Sequence, residues 1–222
     1  MLSNEVKTVT LKENEIETVI FQNEKKKAQI RVIKVDQDNN EILLDGVTFD
    51  VINNAGEIVD TIVTGSDGIA TTKRIPIDSE YTIIERKTKK EYKLTKETQT
   101  VTLEQDEIKN IIFQNEKRKG QLRIIKVDLD DNEILLEGVT FDILDKYGNV
   151  VDTVVTNEKG EATSKRLPCI DEEYTAIERE TRKEYVLTEK PQTITLTEDE
   201  ITSIQFENEK IKGYLEITKV DS

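Results

Sequence analysis

The sequence places a lysine on an apolar strand face, where its amine could act as a nucleophile. In "QIRVIKVD", residues 29–36, branched apolar residues bounded by polar turn residues predict a β-strand. Side chains alternate between the two faces of a strand, so Lys34 shares its face with Ile30 and Val32. Burial disfavours an ammonium group and lowers the lysine pKa, which makes a neutral amine accessible at ordinary pH. The sequence therefore offers a buried nucleophile, provided that a partner compensates the lysine.

Two other polar residues have the same inward parity. Glu85 in "YTIIERKT" shares its face with Ile83, and Asn115 in "IIFQNEK" shares its face with Phe113. Burial raises the pKa of a carboxyl group, so a buried glutamate can carry a proton and pass it to a reacting group. A salt bridge between Lys34 and Glu85, with Asn115 satisfied by hydrogen bonds, explains the same pattern without any reaction.

The same three residue types recur at matching positions of long internal repeats. The stretch "NNEILLDGVTFDV" reappears as "DNEILLEGVTFDI", with a period of about 92 residues. Because this period is far longer than that of a solenoid repeat, we expect each copy to be a whole small domain. In the second copy the inward polar residues are Lys126, Glu178 and Asn208.

The repeats divide the chain into complete and partial copies. In the partial copies, Asn23 stands at the position of the inward asparagine and Lys219 at that of the inward lysine. We therefore expect a piece of a longer tandem array, in which neighbouring repeats of the same chain are one another's partners. The two complete copies are domains at 28–116 and 120–209. The partial copies are the last strands of a preceding repeat at 1–27 and the first strand of a following repeat at 213–222.

Turn signals cut each complete unit into short strands. The stretches "DQDNNE", "NNAG", "GSDG" and "DSEY" separate apolar runs that are rich in Val, Ile and Thr. About seven strands in roughly 90 residues are typical of a small sandwich. The fold class predicted is all-β, with tandem small antiparallel β-sandwich domains of Ig-like size.

Composition excludes several kinds of function. The net charge of −14 disfavours nucleic-acid binding, and the absence of histidine excludes the usual zinc sites and histidine bases. We expect no cofactor, no metal and no membrane insertion in this segment, whose opening residues lack the regions of a signal peptide. "DQDNNE" and "DLDDNE" resemble a calcium loop, but Glu41 and Glu133 replace its glycine, which favours solvated turns. The single cysteine, Cys169, is expected to be incidental.

The motifs together resemble a known repeat family. "KVD" in the first strand, "GVTFD" in the second, a "DG" or "KG" turn, "YT" separated by two residues from a glutamate, and a closing "NEK" are similar to the B-type repeats of collagen-binding surface proteins of Gram-positive bacteria. The resemblance covers essentially the whole chain and implies a prealbumin-like sandwich. One departure is "KKEY", which stands where the family often has Pro and Gly before the tyrosine.

The resemblance implies an intramolecular isopeptide bond between the first-strand lysine and the last-strand asparagine. Carried to this chain, it pairs Lys34 with Asn115 and Lys126 with Asn208, with Glu85 and Glu178 as the assisting residues. A protonated glutamate would donate a hydrogen bond to the carboxamide oxygen while the amine attacks and ammonia leaves. The reaction runs once in each domain, so the chain is not expected to be an enzyme.

The implied function is that of structural stalk repeats in an adhesin or pilin-like protein. Such a protein is extracellular and attached to the cell wall, and contact with host extracellular matrix is made through another domain. An alternative is an adhesin module that binds the host matrix directly, which would need an exposed aromatic or apolar patch. A hydrolase or transferase would need a solvent-open acid and base pair, which neither repeat contains.

Overall fold

The chain folds entirely into β-strands and turns in the part that the structure describes. A computed structural model describes residues 6–220 and divides them into two compact units, between Glu116 and Lys117. The predicted all-β class is confirmed. No helix that could cross a bilayer occurs within residues 6–220.

The first unit contains two facing sheets. One has the strand order β4–β1–β5 with β8 also paired to β1, and the other has the order β3–β2–β6–β7. The strands are β1 (Lys27–Asp36), β2 (Thr48–Asn53), β3 (Ile58–Val63), β4 (Ile69–Thr71), β5 (Ile75–Pro76), β6 (Tyr81–Lys87), β7 (Thr98–Val101) and β8 (Ile108–Asn115).

The second unit repeats this arrangement strand for strand. Its sheets have the orders β12–β9–β13, with β16 also paired to β9, and β11–β10–β14–β15. The strands are β9 (Lys119–Asp128), β10 (Thr140–Leu144), β11 (Val150–Val155), β12 (Glu161–Thr163), β13 (Leu167–Pro168), β14 (Tyr174–Glu180), β15 (Gln192–Ile194) and β16 (Ile201–Asn208).

The first and last strands of each unit pair in parallel, whereas the other strand pairs of the described residues are antiparallel. The chain crosses from one sheet to the other between β7 and β8, so no hairpin sets the direction of β8 against β1. The register places Lys34 opposite Phe113 and Asp36 opposite Asn115. The parallel direction therefore brings the last residue of β8 to the end of β1 that carries the lysine.

The core of each unit lies between its two sheets. Phe49 of β2 meets Phe113 of β8 with ring centroids 5.0 Å apart, and Phe141 meets Phe206 at 4.9 Å in the second unit. These tilted ring pairs join one sheet to the other. Buried branched aliphatic residues fill the remaining space in both units.

The predicted partial copies form no strands in residues 6–26 and 211–220. A strand needs neighbouring strands to take its backbone hydrogen bonds, and this chain contains only fragments of those two repeats. Residues 1–5 and 221–222 of the predicted partial copies lie outside the described residues.

Candidate functional site

Lys34 is fully buried in β1 although it carries an amine. Its backbone nitrogen donates to the Gly68 oxygen at 2.8 Å, and its carbonyl oxygen accepts from the Leu44 nitrogen at 2.9 Å. Gly68 has a φ of +65°, and a Cβ there would lie 2.9 Å from the Lys34 oxygen. Only glycine tolerates both conditions, so the "GSDG" turn fixes the backbone of the lysine.

Glu85 and Asn115 reach Lys34 from two other strands. Glu85 lies in β6 of the opposite sheet and is 3% exposed, while Asn115 ends β8 and is 1% exposed. Asn115 Nδ2 donates to Glu85 Oε1 at 2.6 Å, and Lys34 Nζ lies 3.5 Å from Glu85 Oε2. Three strands thus bring an amine, a carboxyl and a carboxamide together in the core.

Lys126, Glu178 and Asn208 form the same arrangement in the second unit. Lys126 Nζ lies 3.2 Å from Glu178 Oε2 and donates to Asn208 Oδ1 at 2.6 Å, and Asn208 Nδ2 donates to Glu178 Oε1 at 2.5 Å. Because a C=O bond is about 1.2 Å long, the Asn208 carboxamide carbon lies within about 3.8 Å of the Lys126 amine. This separation is close to that of reacting atoms poised for attack.

Burial favours the uncharged forms of the lysine and the glutamate. It lowers the pKa of Lys34 to about 8, although the nearby Glu85 opposes the change. Burial also raises the pKa of Glu85, against the hydrogen bond from Asn115 and the charge of Lys34. Burial also lowers the pKa of Lys126, and the nearby Glu178 opposes this lowering. A neutral amine can attack a carbonyl carbon, whereas an ammonium group cannot.

The glutamate contacts the carboxamide nitrogen, and not the carboxamide oxygen as the sequence led us to expect. Each of Glu85 and Glu178 turns one oxygen to the asparagine Nδ2 and the other to the lysine Nζ. Even a protonated carboxyl keeps one oxygen that only accepts hydrogen bonds, and this oxygen binds the N–H end of the carboxamide. The geometry therefore places the glutamate between the attacking and the leaving nitrogen.

A threonine that the sequence interpretation did not single out completes each cluster. Asn115 Nδ2 donates a second hydrogen bond to Thr88 Oγ1 at 2.8 Å, and Asn208 Nδ2 donates to Thr181 Oγ1 at 2.8 Å. Each threonine follows its glutamate by three residues in both repeats. This shared spacing was a signal that could have identified them.

A buried aspartate and tyrosine brace the same end of each sandwich. Tyr92 donates its hydroxyl to Asp36 Oδ2 at 2.7 Å, and Tyr185 donates to Asp128 Oδ2 at 2.9 Å. The other oxygen of Asp36 accepts two backbone N–H groups of the "DQDNNE" turn. These contacts fix the "KKEY" loop, whose sequence departs from the family pattern, against the end of β1.

The remaining predicted positions lie outside both clusters. Asn23 and Lys219 are exposed and belong to segments without strands. Cys169 is 7% exposed and packs in the hydrophobic core of the second unit.

Comparison with protein families gives a match over most of the chain. A family model described as the SpaA prealbumin-like fold domain matches residues 28–117 and 120–210. No curated protein matches the chain.

Solved structures include similar chains. The Bacillus anthracis TIE protein is 26% identical over 84% of this chain and 34% of its own chain, with a TM-score of 0.66. The present chain thus spans about a third of that protein's length. A minor pilin of Streptococcus agalactiae matches at 16% identity over 86% of this chain and 100% of that one, with a TM-score of 0.40. The shaft pilin SpaA of Lactobacillus rhamnosus GG matches at 15% identity over 86% and 99%, with a TM-score of 0.39.

Proposed function

Since the chain belongs to the family of SpaA prealbumin-like fold domains, we propose that its two units are stalk repeats of a surface protein, each closed by a Lys–Asn isopeptide bond that it forms itself. The bonds join Lys34 to Asn115 and Lys126 to Asn208. Glu85 and Glu178 assist the reaction. Each domain reacts once, which is self-processing and not enzyme turnover.

The observation that carries this proposal is the meeting of buried polar atoms in the first unit. Lys34 Nζ, Glu85 Oε2 and Asn115 Oδ1 are buried and have no hydrogen-bond partner within the described residues. Lys34 Nζ and Glu85 Oε2 are 3.5 Å apart, which is long for a hydrogen bond. A buried polar group without a hydrogen-bond partner destabilises a fold, and a role in a reaction is one explanation for its presence. An amide between the lysine and the asparagine would replace the buried amine with a neutral group.

The contacts suggest a direct course for the reaction. The neutral Lys34 amine attacks the carboxamide carbon of Asn115, and the new C–N bond forms with the electron pair of the amine. A proton from the attacking nitrogen passes to Glu85, and the proton that Glu85 held passes to the leaving nitrogen. The old C–N bond breaks, its electron pair stays with nitrogen, and ammonia departs. Glu85 ends in the protonation state in which it began.

The same bond would carry tension through each unit. The first unit is entered through β1 and left through β8, and these two strands lie side by side. A bond from Lys34 to Asn115 leaves about 80 residues off the path of a pulling force. The hydrogen bonds of the sandwich would then carry little of the load, as a stalk requires.

Pulling single molecules from both ends tests the stalk function. The unaltered chain is expected to show no unfolding step from either complete unit. A Lys34→Met chain is expected to gain one step of about 270 Å, the extended length of about 80 residues. The second unit of the same molecule serves as the control. Two such steps in the unaltered chain would contradict the proposal.

Bond formation in the first unit is expected to slow as the pH falls below about 8, because Lys34 then becomes an unreactive ammonium. The rate should fall by about tenfold for each pH unit well below this pKa. Above the raised pKa of Glu85 the glutamate loses the proton that the reaction uses, so the rate should fall again there. Freshly translated chain can be folded at a series of pH values and quenched for mass spectrometry. A rate that is unchanged between pH 6 and pH 8 would exclude the neutral amine.

We place the protein outside the cell and attached to the cell wall. The resemblance of both repeats to surface-protein domains supports this location. Neighbouring repeats of the same chain are its nearest partners, and contact with host matrix is assigned to another domain of the parent protein.

A further inference from the structure

Both hydrogens of the leaving nitrogen have acceptors in each unit. Asn115 Nδ2 donates to Glu85 Oε1 at 2.6 Å and to Thr88 Oγ1 at 2.8 Å. In the second unit, Asn208 Nδ2 donates to Glu178 and to Thr181 at 2.5 and 2.8 Å. A carboxamide whose two N–H groups are both held cannot rotate about its side-chain bond without breaking them. The threonine therefore fixes which end of the carboxamide faces the lysine.

The orientation that results is the productive one. With Nδ2 held by the glutamate and the threonine, Asn208 Oδ1 points to Lys126 Nζ at 2.6 Å. The nitrogen that must depart consequently lies on the side away from the amine. If the carboxamide were reversed, its nitrogen would face the lysine, and a hydrogen bond from it would occupy the lone pair that the neutral amine needs for attack.

The threonine is also the most exposed member of each cluster. The lysine, glutamate and asparagine of the first unit are 0%, 3% and 1% exposed, whereas Thr88 is half-buried. Thr181 is half-buried in the same way. The leaving nitrogen thus donates to the member of the cluster that has the largest exposed fraction. Glu85 Oε1 and Thr88 Oγ1 both accept from Asn115 Nδ2, so the carboxyl and the hydroxyl both adjoin the leaving nitrogen.

We infer that Thr88 and Thr181 are a fourth catalytic residue in each unit, holding the leaving nitrogen and connecting it to the glutamate. This inference rests on the proposed isopeptide reaction. As the old C–N bond breaks, the threonine hydroxyl gives its proton to the leaving nitrogen and takes the proton of the glutamate in return. The hydroxyl is restored, the glutamate later receives the proton of the attacking amine, and ammonia leaves on the threonine side.

The test compares the two units within one molecule. Thr88→Val removes the hydroxyl but keeps the shape of the side chain. The second unit, in which Thr181 is intact, is the internal reference for the rate of bond formation. Freshly translated chain is sampled over time, quenched in acidic denaturant, digested, and the Lys34–Asn115 and Lys126–Asn208 linked peptides are quantified. We expect Thr88→Val to slow bond formation in the first unit by about 10²-fold and to leave the second unit unchanged.

Two further variants separate the hydroxyl from the packing. Thr88→Ser keeps the hydroxyl and is expected to react at nearly the unaltered rate. Thr82→Val removes a hydroxyl from β6, the strand that precedes Thr88, at a position of opposite parity to Glu85, and should have no effect on the rate. Protease resistance confirms that each variant folds, and Thr88→Ala replaces the valine variant if that one does not.

The outcomes are distinct. An unaltered rate in Thr88→Val, or equal slowing in the valine and serine variants, would overturn the assignment of the threonine while the isopeptide proposal stands. Absence of both linked peptides from the unaltered chain would overturn the isopeptide proposal and this inference with it. Slowing by valine alone, together with the reciprocal result for Thr181→Val, would establish the fourth residue.

Discussion

Replacing Glu85 and Glu178 together with glutamine is expected to leave both lysines unlinked, so that the intact mass of the variant equals that of the translated chain. Glutamine has nearly the size of glutamate and can still hydrogen-bond the asparagine, but it cannot take up and release a proton. Loss of a positioned proton carrier typically slows a reaction by about 10² to 10⁴-fold. Mass spectrometry immediately after folding measures the result.

The matched control for this pair is Glu80→Gln with Glu173→Gln. Both residues are exposed and stand just before the strands that carry the two assisting glutamates. This control should lose ammonia as the unaltered chain does. If the Glu85 and Glu178 variant lost ammonia at the same rate as the control, the glutamates would have no part in the reaction.

Lys34→Met is expected to lower the free energy of unfolding of the first unit by about 4 to 5 kcal/mol, because it removes a cross-link that closes a loop of about 80 residues. Methionine fills a similar apolar space, so the loss of the buried amine itself should not create a large cavity. Amide hydrogen exchange with increasing denaturant reports the two units separately, and the second unit should keep its protection.

Lys73→Met is the control for the stability measurement. Lys73 is exposed, and substitutions at such positions usually change stability by less than about 0.5 kcal/mol. A loss below about 1 kcal/mol in Lys34→Met, similar to that of the control, would mean that no covalent link stabilises the unit.

Strand parity was sufficient to predict which side chains face inwards. Lys34, Glu85 and Asn115 were each assigned to the apolar face of a strand, and the structure buries all three. This prediction was possible because successive side chains of a strand point to opposite faces, so the position of a residue in the strand determines its face. The repeats reinforced it, since the same residues recur with the same parity in the second unit. The resemblance to prealbumin-like surface-protein repeats is confirmed by the family match.

Other features of the site could not be predicted from the sequence. Parity assigns a face but not a neighbour, so the parallel pairing of β1 with β8 depends on how the chain crosses between the sheets. The orientation of the Asn115 carboxamide depends on which groups surround it, and Thr88 supplies one of its acceptors from beyond the end of β6. The contact of Tyr92 with Asp36 joins residues far apart in sequence through a loop of unusual composition. Formation of the bonds stays a prediction.

The mass of the intact, unaltered chain tests the central claim most directly. Each isopeptide bond releases one ammonia, so the account predicts a mass lower than that of the translated sequence by two ammonia molecules, one for each complete unit. Digestion should then yield one peptide that joins Lys34 to Asn115 and another that joins Lys126 to Asn208. A chain with the full mass of its sequence would contradict the account.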